Sequence, residues 1–126
     1  MRLQAGCVPV RGVYPALEVL LVTSRYTGEW IAPKGNIDAD EEPEEAAERE
    51  AFEEAGVRGR IARQLGCFTY PRGTTVVCID VFALVVTEEL PRWPEQLVRR
   101  RKWFPLEEAL RVVRRPEVLQ MLRSLV

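Results

Sequence analysis

Residues 35–57 read GNIDADEEPEEAAEREAFEEAGV, and the rest of the chain takes its meaning from this stretch. Gly35, Asn36, Asp38 and Asp40 are turn and loop formers, so Lys34–Asp40 is predicted to be a polar loop. Pro43 has the fixed φ that suits a first helical turn, and Gly56 is a residue type at which helices stop. The spacing therefore predicts a helix from Pro43 to about Ala55. At about 100° per residue, Ala47 and Ala51 define a narrow apolar stripe for the core. Glu50 and Glu54 fall within roughly 60° of Ala47, and Glu53 lies beside Glu50, so three carboxylates crowd an arc of about 100° next to the buried face. Glu44, Glu45 and Glu48 suit the positive end of the helix dipole and solvent. Glu50, Glu53 and Glu54 sit at the end where the dipole opposes them, and they repel one another at i,i+3 and i,i+4 spacing. A compensating cation is the physical expectation, and hard divalent ions prefer such oxygen clusters. A solvated acidic helix face is the other reading of the same residues.

On either side of this helix the chain is mostly strand-like. Leu3–Val10 and Leu17–Ser24 read as strands with Gly12 and Pro15 in the turn between them, and Trp30-Ile31-Ala32 is a short apolar piece ended by Pro33. Val57–Phe68 is strand-like but interrupted by Gly59 and Gly66, whereas Thr74–Thr87 is rich in β-branched residues and is the strongest strand. Glu88–Glu95 is a loop holding Pro91 and Pro94, and Arg99–Phe104 reads as a further strand. Pro105 opens a helix through about Val113, and Pro116 opens the last one; both are amphipathic and suited to cover a sheet. Strands, one helix, strands, then helices is the order of an α+β fold: a mixed β-sheet flanked by helices, an α/β/α sandwich. No repeat or linker divides the chain, so residues 1–126 are expected to form one domain.

Composition removes several function classes. Lys plus Arg number 18 and Asp plus Glu 19, a formal charge of -1 that argues against a general nucleic-acid binder. There is no histidine, so serine–histidine and cysteine–histidine catalysis and His-ligated zinc are excluded. Cys7, Cys67 and Cys78 are widely spaced without a C-x-x-C pair, which suits reduced thiols. No apolar run approaches the roughly 20 residues of a membrane span. The first residues run straight into a strand with no secretory pattern, so a cytoplasmic location without membrane contact is expected. Any chemistry must use carboxylates, Arg, Lys, Tyr or hydroxyls.

Gly35, Glu41, Arg49, Glu50, Glu53, Glu54, Gly56 and Val57 fit the spacing G-x5-E-x7-R-E-U-x-E-E-x-G-U, with U a bulky aliphatic residue. This spacing resembles the Nudix box, the signature of hydrolases that cleave a nucleoside diphosphate linked to another moiety. Ala51, at the first U, is smaller than the usual residue. The resemblance implies that Glu50, Glu53 and Glu54 bind Mg²⁺ or Mn²⁺ together with the backbone carbonyl of Lys34. One of these glutamates, or a loop glutamate beyond the box, would activate water. It also implies that Arg49 orients the carboxylates, that Glu41 anchors the loop to the helix, and that Gly35 permits close backbone approach while Gly56 ends the helix.

Outside the box, the stretches VLLVTSRYTGEWIAPKGN, EEPEEAAEREAFEEAGVRGRIARQLGCF, LVVTEEL and RRRKWFPLEEAL are similar to diphosphoinositol polyphosphate phosphohydrolases, which also hydrolyse diadenosine polyphosphates. In that subgroup basic residues grip a dense cluster of phosphates. The resemblance carries this role to Arg2, Ser24, Arg25, Lys34, Gly35, Arg99, Arg100 and Arg101, with Arg72 a looser counterpart. Two departures shift the expectation toward a dinucleoside polyphosphate, with diphosphoinositol phosphates close behind. Lys34-Gly35-Asn36 replaces a triple glycine, and Thr69-Tyr70-Pro71-Arg72-Gly73 replaces a basic segment. In a strand Arg99 and Arg101 point to one face and Arg100 to the other. Trp30 and Trp103, and less so Phe68 and Tyr70, are candidates either for the core or for stacking on a base. Glu89 and Glu95 are alternative sources of a late carboxylate. Three other readings stand beside this one: an RNA 5′-pyrophosphohydrolase using Arg58, Arg60 and Arg63, a nucleoside triphosphate sanitiser, and a non-catalytic nucleotide-binding module. All box glutamates are present, which weighs against the last.

Overall fold

The computed structural model describes residues 1–126. Strand β1 (Arg2–Arg11) is followed by β2 (Glu18–Thr23), the short β3 (Trp30–Ile31) and β4 (Lys34–Asn36). Helix α1 (Pro43–Glu50) continues into a π-helical turn, Ala51–Ala55. Two long strands, β5 (Val57–Arg72) and β6 (Thr75–Glu89), precede β7 (Arg101–Pro105) and helices α2 (Leu106–Val112) and α3 (Pro116–Arg123). The sheet runs β3-β2-β1-β6-β5, with β4 pairing β1 and β7 pairing β2. Only β1 and β6 are parallel, so the sheet is mixed as expected.

The two faces of the sheet separate by strand alternation. Val8, Val10, Val19, Leu21, Ile79 and Val81 point into one core, closed by Leu106, Ala109 and Val113 of the α2 region and Val118, Met121 and Leu122 of α3. Their neighbours Ala5, Cys7, Leu20, Val22, Phe82 and Leu84 point into the other, closed by Ala46, Ala47, Ala51 and Ala55. The helices thus sit on opposite faces, the α/β/α arrangement read from the sequence. Alanines on the inner face of α1 let the helix lie close to the sheet. Ala51 is fully buried, so its small size is the fit of this contact rather than a defect in it.

Three local expectations are corrected. Lys34–Asn36 is not loop but strand, because Gly6, Ala5 and Gln4 of β1 pair with Lys34, Gly35 and Asn36. A partner some thirty residues upstream supplies ladder bonds that overrule local loop preference. Gly59 and Gly66 do not interrupt β5; the strand passes through them with register shifts at Arg58/Gly59 and Gln64/Gly66. The Arg99–Phe104 strand begins only at Arg101, since Arg99 closes a helical turn in which its amide donates to the Glu95 carbonyl at 3.0 Å.

Candidate functional site

The acidic helix ends where β1 and β4 begin, and this junction gathers the site. Glu45 Oε1 accepts the Glu42 amide at 2.9 Å, fixing the first turn of α1. At the other end Gly56 adopts φ +67°, the left-handed conformation that stops a helix, and its amide returns to the Phe52 carbonyl at 3.0 Å. Between these stops Glu50 and Glu54 are withdrawn from solvent, 7% and 5% exposed, while Glu53 lies half-open beside them.

Arg49 organises the first of these carboxylates. Its Nε and Nη2 donate to Glu41 at 2.7 and 2.9 Å, its Nη1 to Glu50 Oε2 at 2.8 Å and Glu53 Oε1 at 3.2 Å, and its Nη2 also to the Asn36 carbonyl at 2.8 Å. The planar fork of arginine makes this possible; a lysine ammonium has no second plane of donors for it. Glu41 in turn accepts the Asp38 amide at 3.0 Å, so loop and helix are held as one piece. The Arg49 guanidinium keeps the Glu41 carboxyl below its usual range. A Cβ on Gly35 would run into the Glu50 carboxylate, which is why glycine stands there.

Glu54 is held from two other sides. The Lys34 amide donates to its Oε1 at 3.2 Å, and Arg99 Nη2 stands 3.2 Å from its Oε2. Burial, with the neighbouring Glu50 charge adding to it, nevertheless pushes the Glu54 carboxyl up to about 8. Burial raises Glu50 as well, against the pull of Arg49. Arg49 pairs with Glu50 and Arg99 with Glu54 while the two carboxyls stay within hydrogen-bonding reach of each other, and no three acidic groups converge on one ion-sized point. In chemistry the donors still fit a hard divalent ion: the buried Glu50 and Glu54 one turn apart, whose charged forms burial disfavours, with Glu53 at the opening, all of them oxygen ligands.

These groups floor a cavity of about 400 Å³ whose lining includes Ser24, Arg25, Lys34, Gly35, Arg72 and Arg99. Glu95 also lines it, paired through its Oε1 to Arg99 Nε at 2.8 Å. Glu89 is elsewhere, accepting Trp103 Nε1 at 3.1 Å, so of the two late carboxylates Glu95 is the one in the cleft. Arg101, expected beside the substrate, is not among the residues that line this cavity. Its guanidinium is consumed by the carbonyls of Ala55, Gly56 and Leu90 at 3.0, 3.3 and 2.7 Å and lies 3.9 Å over the Trp93 ring. Arg2 at the start of β1 is exposed and outside the cavity lining. Arg100 points to the other face, 5.5 Å over the Trp30 ring. Arg58 stacks over Phe52 and Arg63 donates to the Ser124 carbonyl at 2.8 Å, so these arginines form no free stripe.

A second cavity, about 510 Å³, adjoins the first and shares Ser24, Ile31 and Lys34 with it. Trp30, Phe68, Ile79, Val81, Val113 and Val118 make much of its wall. Trp30 also packs edge-on against Phe104 at 5.1 Å, so it belongs to both core and cavity. Trp103 faces the other core and carries Arg11 at 4.1 Å. Lys34 stands at the shared wall, its Nζ donating to Tyr70 Oη at 3.0 Å, and Tyr70 donates on to Gln4 at 2.7 Å. Cys7 also lines the second cavity, and burial pushes its thiol up, so it is no nucleophile.

The site is thus an acidic helix end under a basic rim, beside an apolar cavity, on an α+β sandwich. Residues 2–125 match the NUDIX domain family, and the chain belongs to that family. It is 44% identical over 99 residues to mouse (Mus musculus) diphosphoinositol polyphosphate phosphohydrolase 3-alpha, covering 76% of this chain and 60% of the relative. It is 41% identical over 117 residues to Nudix hydrolase 4 of Arabidopsis thaliana, covering 85% of this chain and 56% of that one. The chain thus spans less than two thirds of the length of these relatives. Its fold superposes on a C. elegans Ap4A hydrolase crystallised as a binary complex with a TM-score of 0.81 at 25% identity, over 98% of this chain and 94% of the other.

Proposed function

We propose that this chain is a metal-dependent pyrophosphohydrolase, one domain over residues 1–126, that cleaves a phosphoanhydride bond in a phosphate-rich small molecule. The observation that carries the reading is the buried Glu50–Glu54 pair beneath a rim of Arg25, Lys34, Arg72 and Arg99. Buried carboxylates repel a phosphate chain unless cations lie between them, while the rim attracts one. Glu50, Glu53, Glu54 and the Lys34 carbonyl would hold Mg²⁺ or Mn²⁺, which when bound neutralises the diphosphate and polarises the attacking water. Arg49 keeps Glu50 and Glu53 in position, and Gly35 gives the Glu50 carboxylate room. The rim cations orient the phosphate chain for in-line attack. Glu53 and Glu95, the cleft carboxylates with more solvent, are suited to take the proton from water.

The adjoining apolar cavity favours a dinucleoside polyphosphate, since a planar base suits Trp30, Phe68 and the valine wall while phosphates cross toward Lys34. The names of the mouse relative and of the C. elegans neighbour support the two substrate classes, diphosphoinositol polyphosphates and Ap4A. An RNA 5′-end is disfavoured because Arg58 and Arg63 are engaged elsewhere. The free thiols suit a reducing compartment such as the cytoplasm. The test is a product assay with Mg²⁺ and with Mn²⁺ over diadenosine polyphosphates, a diphosphoinositol phosphate, nucleoside triphosphates and triphosphorylated RNA. Preference for the diadenosine compounds supports the reading; preference for RNA or a simple triphosphate overturns the substrate, and no product with any of them overturns the hydrolase.

A further inference from the structure

Four consecutive carbonyls end the acidic helix, and the loop between β6 and β7, with the first residue of β7, takes all four. The Glu95 amide donates to the Glu53 carbonyl at 3.0 Å, and Trp93 Nε1 to that of Glu54 at 3.0 Å. Arg101 Nη1 donates to Ala55 at 3.0 Å and Gly56 at 3.3 Å, and the Leu90 amide reaches Gly56 as well, at 2.8 Å. Helix ends leave such carbonyls without partners, and these are partly buried, so each bond removes a desolvation cost. The strap closes on itself: Arg101 also holds the Leu90 carbonyl, and its guanidinium lies on the Trp93 ring. Gly56 has no room for a side chain, since a Cβ there would come within 2.8 Å of Trp93.

Just beyond Trp93 the chain makes the turn Glu95–Arg99, and this turn enters the cleft. Arg99 spreads its guanidinium between Glu95 at 2.8 Å, Glu54 at 3.2 Å and the Thr23 carbonyl at 2.9 Å. Trp93 therefore holds the backbone of the very residue whose carboxylate Arg99 meets. We propose that Trp93 is a positioning residue: its indole N–H fixes where Glu95 and Arg99 stand relative to the Glu54 carboxylate. Its consequence for rate rests on the hydrolase reading above.

Trp93→Phe keeps a ring for Arg101 and removes the donor. The expected result is a fall in kcat on the order of tenfold with KM changed less than about twofold, as for small displacements of groups around reacting atoms. In a Glu95→Gln background the same substitution should change kcat by less than about twofold, because the carboxylate it positions is gone. Wild-type kcat in Trp93→Phe, or effects that multiply fully in the double variant, would overturn the proposal. Should Trp93→Phe fail to fold, hydrogen exchange on the wild-type protein decides. The Leu90 and Glu95 amides are expected to be as protected as those of Ala47–Ala55, and exchange at open-loop rates sinks the strap. That measurement needs no substrate. A wild type that hydrolyses no phosphoanhydride overturns the parent reading, and that result is distinct from loss of protection at Leu90 and Glu95.

Discussion

The Glu50 carboxylate occupies the space that a Cβ on Gly35 would need. The contact joins the edge of β4 to the last residue of α1, and both sides are pinned: Gly35 by its pairing with Ala5, Glu50 by Arg49 at 2.8 Å. The glycine is thus required by packing against a carboxylate rather than by backbone conformation.

Gly35→Ala is accordingly expected to displace Glu50 rather than to distort β4. Overpacking of this kind costs about 1–3 kcal/mol, and kcat should fall more than tenfold as the carboxylate moves. Thermal melting and steady-state kinetics on one preparation check both, and an unchanged kcat would mean that Glu50 takes no part in turnover.

Glu54→Gln is nearly isosteric and replaces a buried titratable carboxyl by a neutral amide. The fold should survive with stability equal or improved without metal, while kcat drops by roughly a hundredfold or more. Hydrolysis at the wild-type rate would remove Glu54 from the ion-holding set.

Metal-free stability should depend on pH in a definite direction. Folding raises the Glu54 carboxyl from its ordinary 4.5 to about 8, so the folded chain binds this proton more tightly than the unfolded chain does. The stabilisation is complete below the unfolded value and is lost as pH climbs toward 8. Burial of Glu50 acts in the same sense. Melting of metal-free protein from pH 5 to 8 should show the decline, and added Mg²⁺ should reverse it most strongly at the alkaline end. Stability that rises over this range would contradict the burial of these charges.

Arg25→Ala and Arg101→Ala should separate cleanly. Arg25 is exposed at the rim, so its loss should raise KM for long phosphate chains and leave melting within about 0.5 kcal/mol. Arg101 serves three carbonyls, so its loss should destabilise the fold by about 2–3 kcal/mol and affect long and short phosphate chains alike. A specific KM effect from Arg101→Ala would return that residue to the substrate side.

What the sequence determined by itself is what short-range geometry governs. The helix over Pro43–Glu50, its stop at Gly56 and the alternation of Leu20 with Leu21 follow from local periods of 3.6 and 2 and from the freedom of glycine, whereas the wider π-helical turn over Ala51–Ala55 is not in that periodicity. Tertiary structure decided what depends on a distant partner. Lys34–Asn36 became strand because β1 offered it a ladder, and Glu95 rather than Glu89 entered the cleft because the helix end demanded donors for its carbonyls. Arg99 lies outside the strand that Arg101 opens, so alternation does not pair them: one meets Glu54 and the other caps a helix. Three residues of identical chemistry in a row carry no local signal of which will find a carboxylate, because that choice is made by elements folded against them from elsewhere in the chain.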